Sequence, residues 1–245
     1  MLKVETGKEY ITWAERNTSN RVYPLSIAEK TQYGDVFVDD ISDPHTVLFW
    51  HYCGFAYLTG EVSDKILNEI IEKISSENNR RMILITDDQS VVSFMEERGF
   101  NTSKRIEYEY AGIPSADGKY DFEINKINSE NIDSIKGRII PSFSWEKDQF
   151  LRNGFGYIAE IDGRCCGVAF SAAVSKDEVD IGVEVDEQCR GKGIASALAL
   201  RMCDEIIRSG KKPVWAHAET NTGSMKTALK CGFVQKKINW SCHIG

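Results

Sequence analysis

A glycine-rich segment, RGKGIA at residues 190–195, lies between a strand pattern and a helix pattern. The strand pattern is the alternating VDIGVEV of residues 179–185, and the helix that follows carries apolar residues on one side. A helix N-terminus has free backbone N–H groups and a partial positive charge, and glycines let an anion approach closely. The segment therefore predicts a diphosphate site, formed by Arg190, Gly191, Lys192, Gly193, Ile194 and Ala195.

Two common phosphate-binding motifs do not fit this segment. A Walker loop needs G-x-x-x-x-G-K followed by Ser or Thr, which the sequence lacks. A dinucleotide-binding fingerprint needs its glycines directly after the first strand of a parallel unit, whereas residues 186–190 intervene here and Ser196 replaces the third glycine. A glycine-rich connection without a ligand is the other interpretation. The coincidence of strand, spacing and amphipathic helix favours the phosphate site.

The elements around this segment predict a mixed α/β sheet. An Asp162–Gly163 turn supplies the positive φ angles of a two-residue hairpin, which predicts an antiparallel meander with the strand at 179–185. The expected order in the second half is helical stretches within 129–150, strands 156–160, 166–172 and 179–185, helix 194–208, strand 212–217, helix 224–230 and a last strand through 238–240.

The first half repeats part of this order. Ser63 is the expected N-cap of a helix at 65–75, which carries Ile66, Leu67, Ile70, Ile71 and Ile74 at helical spacing. The other expected elements are strands at 47–52, 54–58, 82–86 and 104–110 and a helix at 90–98. Both halves end in strand, helix, Gly-Phe and strand, with Gly99 and Gly232 separated by 133 residues. This echo favours a tandem duplication over chance, with domains at 1–113 and 120–245 and a linker within 111–119.

Composition weighs against several classes of function. A net charge of -7 weighs against nucleic acid or an anionic membrane as the main partner. No apolar run approaches the length of a membrane span, and the first residues lack the pattern of a signal peptide, so we expect a cytoplasmic protein. Seven cysteines show no ligand spacing, which predicts reduced thiols and no metal site.

With its surroundings, the segment resembles the acyl-CoA signature R/Q-x-x-G-x-G/A of the GNAT N-acetyltransferase superfamily. The resemblance covers about residues 156–240. Within this range Asn221 and Ser224 match that family's N-x-x-[AS] pattern, and Gly232–Phe233 match its Gly-Phe pair. It implies an α+β fold with a mainly antiparallel sheet flanked by helices, present twice. It also implies that Val183 and Val185 hold the pantetheine arm of acetyl-CoA through their backbone, while residues 191–195 hold the diphosphate. In the first half TGEVS at 59–63 replaces the signature, so that half is a degenerate copy.

Acyl transfer to an amine requires a base, because an alkylamine has a pKa of about 10. Strand alternation places Asp180, Gly182 and Glu184 on one face. Glu184 is the first candidate base and Asp180 the second; a solvated face is the alternative for both.

The resemblance also implies a Tyr seven residues after Asn221 to protonate the departing thiolate. Ala228 stands there, so Ser224 or water would have to serve as the acid. The residues expected to contact the substrate at the end of strand 212–217 are Trp215, His217 and Glu219, with core packing the alternative for Trp215.

The sequence therefore predicts an N-acetyltransferase that uses acetyl-CoA and a small-molecule or peptide amine. A non-catalytic acyl-CoA-binding regulatory module is an alternative, motivated by Ala228 and the degenerate first half. An aminoacyl or long-chain acyl transferase is another, although the acidic chain offers no basic run for a tRNA.

Overall fold

The computed structural model describes residues 1–76, 80–112 and 120–244, with the side chains of 74–76 outside the description. Most of the predicted linker, 113–119, therefore lies outside the described residues, as does the side chain of Ile74. Within the described ranges the strands are β1 (Leu2–Val4), β2 (Gly34–Val38), β3 (Thr46–His51), β4 (Phe55–Gly60), β5 (Met82–Thr86), β6 (Asn101–Tyr110), β7 (Glu123–Lys126), β8 (Gly156–Ile161), β9 (Arg164–Val174), β10 (Glu178–Val185), β11 (Lys212–Ala218) and β12 (Phe233–Ile244). The helices are α1 (Ile11–Glu15), α2 (Val22–Ala28), α3 (Asp64–Ser76), α4 (Gln89–Glu97), α5 (Lys147–Asn153), α6 (Ile194–Arg208) and α7 (Thr222–Lys230).

The chain divides into two compact units, one of Met1–Glu107 with Lys237–Gly245 and one of Tyr108–Lys236. The boundaries fall within β6 and β12. The division into domains at 1–113 and 120–245 stays a prediction.

The first unit is a sheet with helices on both faces. Strands β1 to β5 follow one another in order, all antiparallel except the parallel pair β4–β5, and the end of β12 pairs with β5. Helices α3 and α4 cover one face around Trp50 and Leu84, while α1 and α2 cover the other around Phe49. Coverage of both faces explains why β3 is buried along its whole length.

The second unit is built around the antiparallel meander β8–β9–β10, with β7 beside β8 and β11 parallel to β10. Helix α6 covers one face, where a Cβ on Gly167 would lie 2.8 Å from the Ile194 side chain. Phe150 of α5 packs against Phe170 on the other face. Both faces of β9 are therefore in contact with helices.

The predicted fold class, a mixed and mainly antiparallel sheet flanked by helices, is confirmed. The hairpin turn has the expected positive φ at Asp162 (50°) and Gly163 (74°). The prediction for 129–150 is wrong in part, because this stretch forms two short 3-10 turns, Ile132–Ser134 and Pro141–Phe143, before α5 begins at Lys147. No helix in the described ranges is long and apolar enough to cross a membrane.

Alkaline unfolding should depend on Cys203, a thiol buried in α6. Burial raises the pKa of this thiol well above its usual 9.0. Above pH 9 the thiol ionises in the unfolded chain but stays protonated in the folded one, so the free energy of unfolding falls by about 1.4 kcal/mol for each pH unit. Cys203→Ser should remove this contribution above pH 9 and leave the slope below pH 9 unchanged, as measured by urea unfolding. Cys165→Ser, at a half-buried thiol, should change the slope less; equal slopes for wild type and Cys203→Ser would contradict the assignment.

Candidate functional site

Strands β10 and β11 separate after a short pairing. They form a parallel ladder at Glu178–Lys212, Val179–Pro213 and Asp180–Val214 only, within the described residues. Strand β10 continues along β9 as far as Val185–Gly167, while β11 runs on to Ala218. A strand edge without a ladder partner presents backbone N–H and C=O groups to a ligand. This open edge contains Val183 and Val185, the residues predicted to hold a pantetheine arm.

The glycine-rich loop leads from the open edge to the N-terminus of α6. Gly193 is the N-cap with a left-handed backbone (φ 82°) and no side-chain cap. The first intrahelical bond runs from the Ala197 N–H to the Gly193 carbonyl oxygen over 3.0 Å. The N–H groups of Ile194, Ala195 and Ser196 therefore precede the helical ladder and are donors for an anion.

The same loop offers space and positive charge for a diphosphate. A Cβ at Gly191 or Gly193 would meet no atom within 4 Å. Lys192 is exposed, and the exposed Arg190 lies beside Glu187, with Nη1 and Oε1 3.5 Å apart. Open space, backbone donors and two cations fit the diphosphate of CoA.

The start of the loop is fixed to the sheet. The Asp186 carboxylate accepts a hydrogen bond from the Gln188 N–H at 2.9 Å and pairs with Arg164 at 2.7 Å. The Gln188 N–H and then the Arg164 guanidinium hold the pKa of Asp186 below its usual value. Cys189 forms a disulfide with Cys166 on β9, with Cα atoms 5.8 Å apart. The prediction of seven reduced thiols is therefore wrong for these two cysteines.

The two candidate bases lie on the face of β10 opposite α6. Asp180 is 3% exposed. Gly182 is directly opposite Phe170 on β9, and a Cβ there would lie 2.7 Å from the phenyl ring. The Glu184 carboxylate accepts hydrogen bonds at Oε2 from the N–H of Arg138 (2.8 Å) and from the N–H of Ile139. Asp180 is buried and Glu184 is partly exposed, and the assignment of either as base stays a prediction.

A cleft of about 210 Å³ lies next to the segment that Glu184 anchors. Ile140, which lines this cleft, directly follows Ile139, whose N–H binds Glu184. The cleft is lined mainly by apolar side chains: Ile132, Ile135, Ile140, Pro141, Trp145 and Phe150, with Asp133, Ser142 and Lys147 adding polar groups. Asp133 and Lys147 form an ion pair. The cleft therefore suits an apolar group of limited size.

Trp215, Ser224 and Asn221 form one connected group at the end of β11. The buried indole N–H of Trp215 donates to Ser224 Oγ at 3.0 Å. The Ser224 N–H donates to Asn221 Oδ1 at 3.0 Å, so Asn221 is the N-cap of α7. Ser224 thus accepts a hydrogen bond from Trp215 and keeps its own hydroxyl hydrogen for another acceptor.

His217 is buried beneath the aromatic ring of Tyr108. The rings stack with centroids 5.2 Å apart, and His217 Nε2 lies 3.1 Å from the Tyr108 hydroxyl. Nδ1 lies 2.8 Å from the Ala218 carbonyl oxygen, which can only accept. Nδ1 therefore carries the proton, and Nε2 accepts from Tyr108. Glu219 is exposed one residue beyond β11, and Ala228 is buried in α7. The substrate contacts of Trp215, His217 and Glu219 stay predictions.

Sequence reasoning did not identify the 137–139 segment, the apolar cleft or Tyr108. The RIIPSF run at 138–143 has no helical or strand period, and Tyr108 lies 109 residues before His217. The proline and the consecutive isoleucines were the only local signal of an irregular apolar wall.

Comparison with known proteins relates most of the chain to one family. The family model described as GNAT acetyltransferase matches residues 17–241. No curated protein matches. Among solved structures, a GCN5-related N-acetyltransferase-like protein from Streptococcus suis 89/1591 has a TM-score of 0.77 at 21% identity, covering 96% of this chain and 97% of that one. A GCN5-related N-acetyltransferase from Kribbella flavida has a TM-score of 0.63 at 13% identity, with coverages of 94% and 96%. A tandem GNAT protein from the clavulanic acid biosynthesis pathway has a TM-score of 0.60 at 11% identity, with coverages of 100% and 98%.

Proposed function

Since the chain belongs to the GNAT acetyltransferase family, we propose that it transfers an acetyl group from acetyl-CoA to the amine of a small molecule. The observation that supports this most is the open edge of β10, which leads into the glycine-rich loop and the uncapped N-terminus of α6. This arrangement suits a ligand with an extended amide-bearing arm and a diphosphate. Acetyl-CoA has both and supplies the activated acyl group.

In this proposal the backbone of β10 and α6 binds and orients the donor. The edge at Val183 and Val185 holds the arm, and the N–H groups of Ile194, Ala195 and Ser196 hold the diphosphate. Arg190 and Lys192 contribute charge from the exposed side of the loop. Held in this way, the reacting carbonyl is fixed near Glu184, and orientation alone lowers the barrier to transfer.

Glu184 removes the proton from the acceptor amine. Its Oε2 is held by the backbone of Arg138 and Ile139, which fixes the carboxylate and leaves Oε1 for the substrate. A free amine is the nucleophile, so the base is needed at neutral pH. Asp180, buried on the same face, is the second candidate.

In the same proposal Ser224, or water, donates a proton to the departing sulfur. Its oxygen already accepts from Trp215, so its hydroxyl hydrogen is available. A thiol has a pKa of about 8.5, which makes the thiolate a tolerable leaving group and lowers the demand on this acid. The presence of Ala228 in place of a tyrosine is therefore compatible with turnover.

The apolar cleft holds the body of the acceptor, so we expect a primary amine on an aromatic or branched aliphatic group. Thiol release from acetyl-CoA should be faster with phenylethylamine than with ethanolamine or spermidine, because the cleft wall is mainly apolar. CoA binding without thiol release with any amine would favour a regulatory acyl-CoA-binding module. Release only with long-chain acyl-CoA or aminoacyl donors would favour an aminoacyl or long-chain acyl transferase.

A further inference from the structure

The first unit contains a second gap between parallel strands. Strand β4 pairs with β5 at Phe55–Ile83, Ala56–Leu84 and Tyr57–Ile85 only, within the described residues. Strand β4 then continues along β3 as far as Gly60–Thr46. The edge of β4 from Leu58 to Gly60 is therefore open towards β5, as the edge of β10 is open towards β11 in the second unit. A cleft of about 190 Å³ lies at this gap.

A segment of the chain itself occupies this edge. Asn17, which follows α1, is buried, and its side-chain amide donates to the Leu58 carbonyl oxygen at 3.1 Å and to Thr59 Oγ1 at 3.3 Å. Its Oδ1 accepts from the Ser19 N–H at 2.9 Å. An amide group is thus bound to the open backbone edge, as an amide-bearing ligand would be.

Two further groups hold this segment in place. Thr18 Oγ1 donates to the Asp87 carboxylate, at 2.7 and 2.9 Å from its two oxygens. Lys237 Nζ donates to the Thr18 carbonyl oxygen and to Asp87 Oδ2, each at 2.7 Å. The segment is therefore held at Thr18 as well as at Asn17.

Within the described residues, the first unit also has no counterpart of the anion-binding loop of the second. Only residues 61–63 join β4 to α3, whereas 186–193 join β10 to α6. Ser63 Oγ accepts from the Ile66 N–H at 3.4 Å, so a side chain takes a donor of the first turn of α3. The gap can accommodate an amide-bearing arm but has no glycine loop for a diphosphate.

We propose that residues 16–19 are a built-in occupant of a pantetheine-like site in the first unit, and that this unit is closed to acyl-CoA while they are in place. The proposal rests on the proposed function for the chemistry of the arm. It implies one acyl-CoA site for each chain, although the strand gap is present twice.

Titration calorimetry with acetyl-CoA tests the closure. We expect one molecule bound to each wild-type chain and none bound to Gly193→Asp. Two molecules on the wild type, with one of them remaining on Gly193→Asp, would overturn the proposal. One molecule on both proteins would instead contradict the assignment of the diphosphate to the α6 loop. No binding to the wild type would contradict the proposed function instead, while agreeing with a closed first unit.

Removal of the occupant tests its identity. Asn17→Ala with Thr18→Ala, introduced into Gly193→Asp, should create one site for pantetheine, the arm without its diphosphate, in addition to the β10 edge of the second unit, which Gly193→Asp leaves open. Ser42→Ala in the same background loses an exposed loop hydrogen bond to Asp40 and should create none. If the Asn17/Thr18 variant keeps the wild-type circular dichroism spectrum and binds no more pantetheine than Gly193→Asp, another group closes the gap and the proposal fails.

Discussion

Gly193→Asp is expected to abolish acetyl-CoA binding while the chain remains folded. The new carboxylate would stand at the N-cap of α6, in the space where the diphosphate is proposed to lie. Two like charges about 4 Å apart repel by about 4 kcal/mol at an effective dielectric constant near 20, which corresponds to roughly a thousandfold in Kd. Aspartate is a favourable N-cap and is among the residues that tolerate a left-handed backbone, so the fold should survive. Equilibrium titration with acetyl-CoA measures the loss.

Gly210→Asp is the matched control at the other end of the same helix. Gly210 is also exposed and has φ 78° against 82° for Gly193, and a Cβ added there would meet no atom within 4 Å. The substitution adds the same charge at a position with the same left-handed backbone, but far from the loop. The affinity of this variant for acetyl-CoA should therefore equal that of the wild type. If Gly193→Asp bound acetyl-CoA with wild-type affinity, the diphosphate would have to lie elsewhere.

Glu184→Gln is expected to lower kcat by about 10²- to 10⁴-fold, the usual contribution of a general base. The glutamine amide oxygen can still accept from the N–H groups of Arg138 and Ile139, so the 137–139 segment should stay anchored. The affinity for acetyl-CoA should change little. The rise of rate with pH that reports ionisation of the base should disappear, as measured by initial rates across the pH range.

Two further variants separate chemistry from anchoring. Glu184→Ala removes both the base and the acceptor of the two backbone hydrogen bonds, so KM for the amine should rise in addition to the fall in kcat. Glu130→Gln changes an exposed carboxylate in the same unit and should leave both parameters unchanged. An unaltered pH–rate profile in Glu184→Gln would assign the base to another group, with Asp180 next to be tested.

The part of the fold around the glycine-rich segment was predictable because its signals are local. Helix α6 spans Ile194–Arg208 as its apolar periodicity indicated, and the Asp162–Gly163 turn has the backbone that its residues favour. The first 46 residues gave no such signal: α2 is buried along its whole length and therefore lacks an amphipathic pattern. Strand β7 was not predicted either, because its four residues are too few to show a strand pattern.

The candidate site was predictable only where one segment forms it. The loop at 190–195 was found because strand, glycines and helix are consecutive, whereas the Glu184 contact joins residues 46 apart. The Cys166–Cys189 disulfide was missed for the same reason: 23 residues separate two cysteines whose spacing has no motif. Contacts of this kind depend on sheet register, which composition and periodicity leave open.

Acetyl transfer to an amine is the central claim, and mass spectrometry of the acceptor tests it most directly. The chain would be incubated with acetyl-CoA and phenylethylamine, with Gly193→Asp as the matched control. We expect the amine to gain the mass of one acetyl group with the wild type and to stay unmodified with Gly193→Asp. An unmodified amine with the wild type, across aromatic, aliphatic and polyamine acceptors and despite measured acetyl-CoA binding, would contradict the assignment.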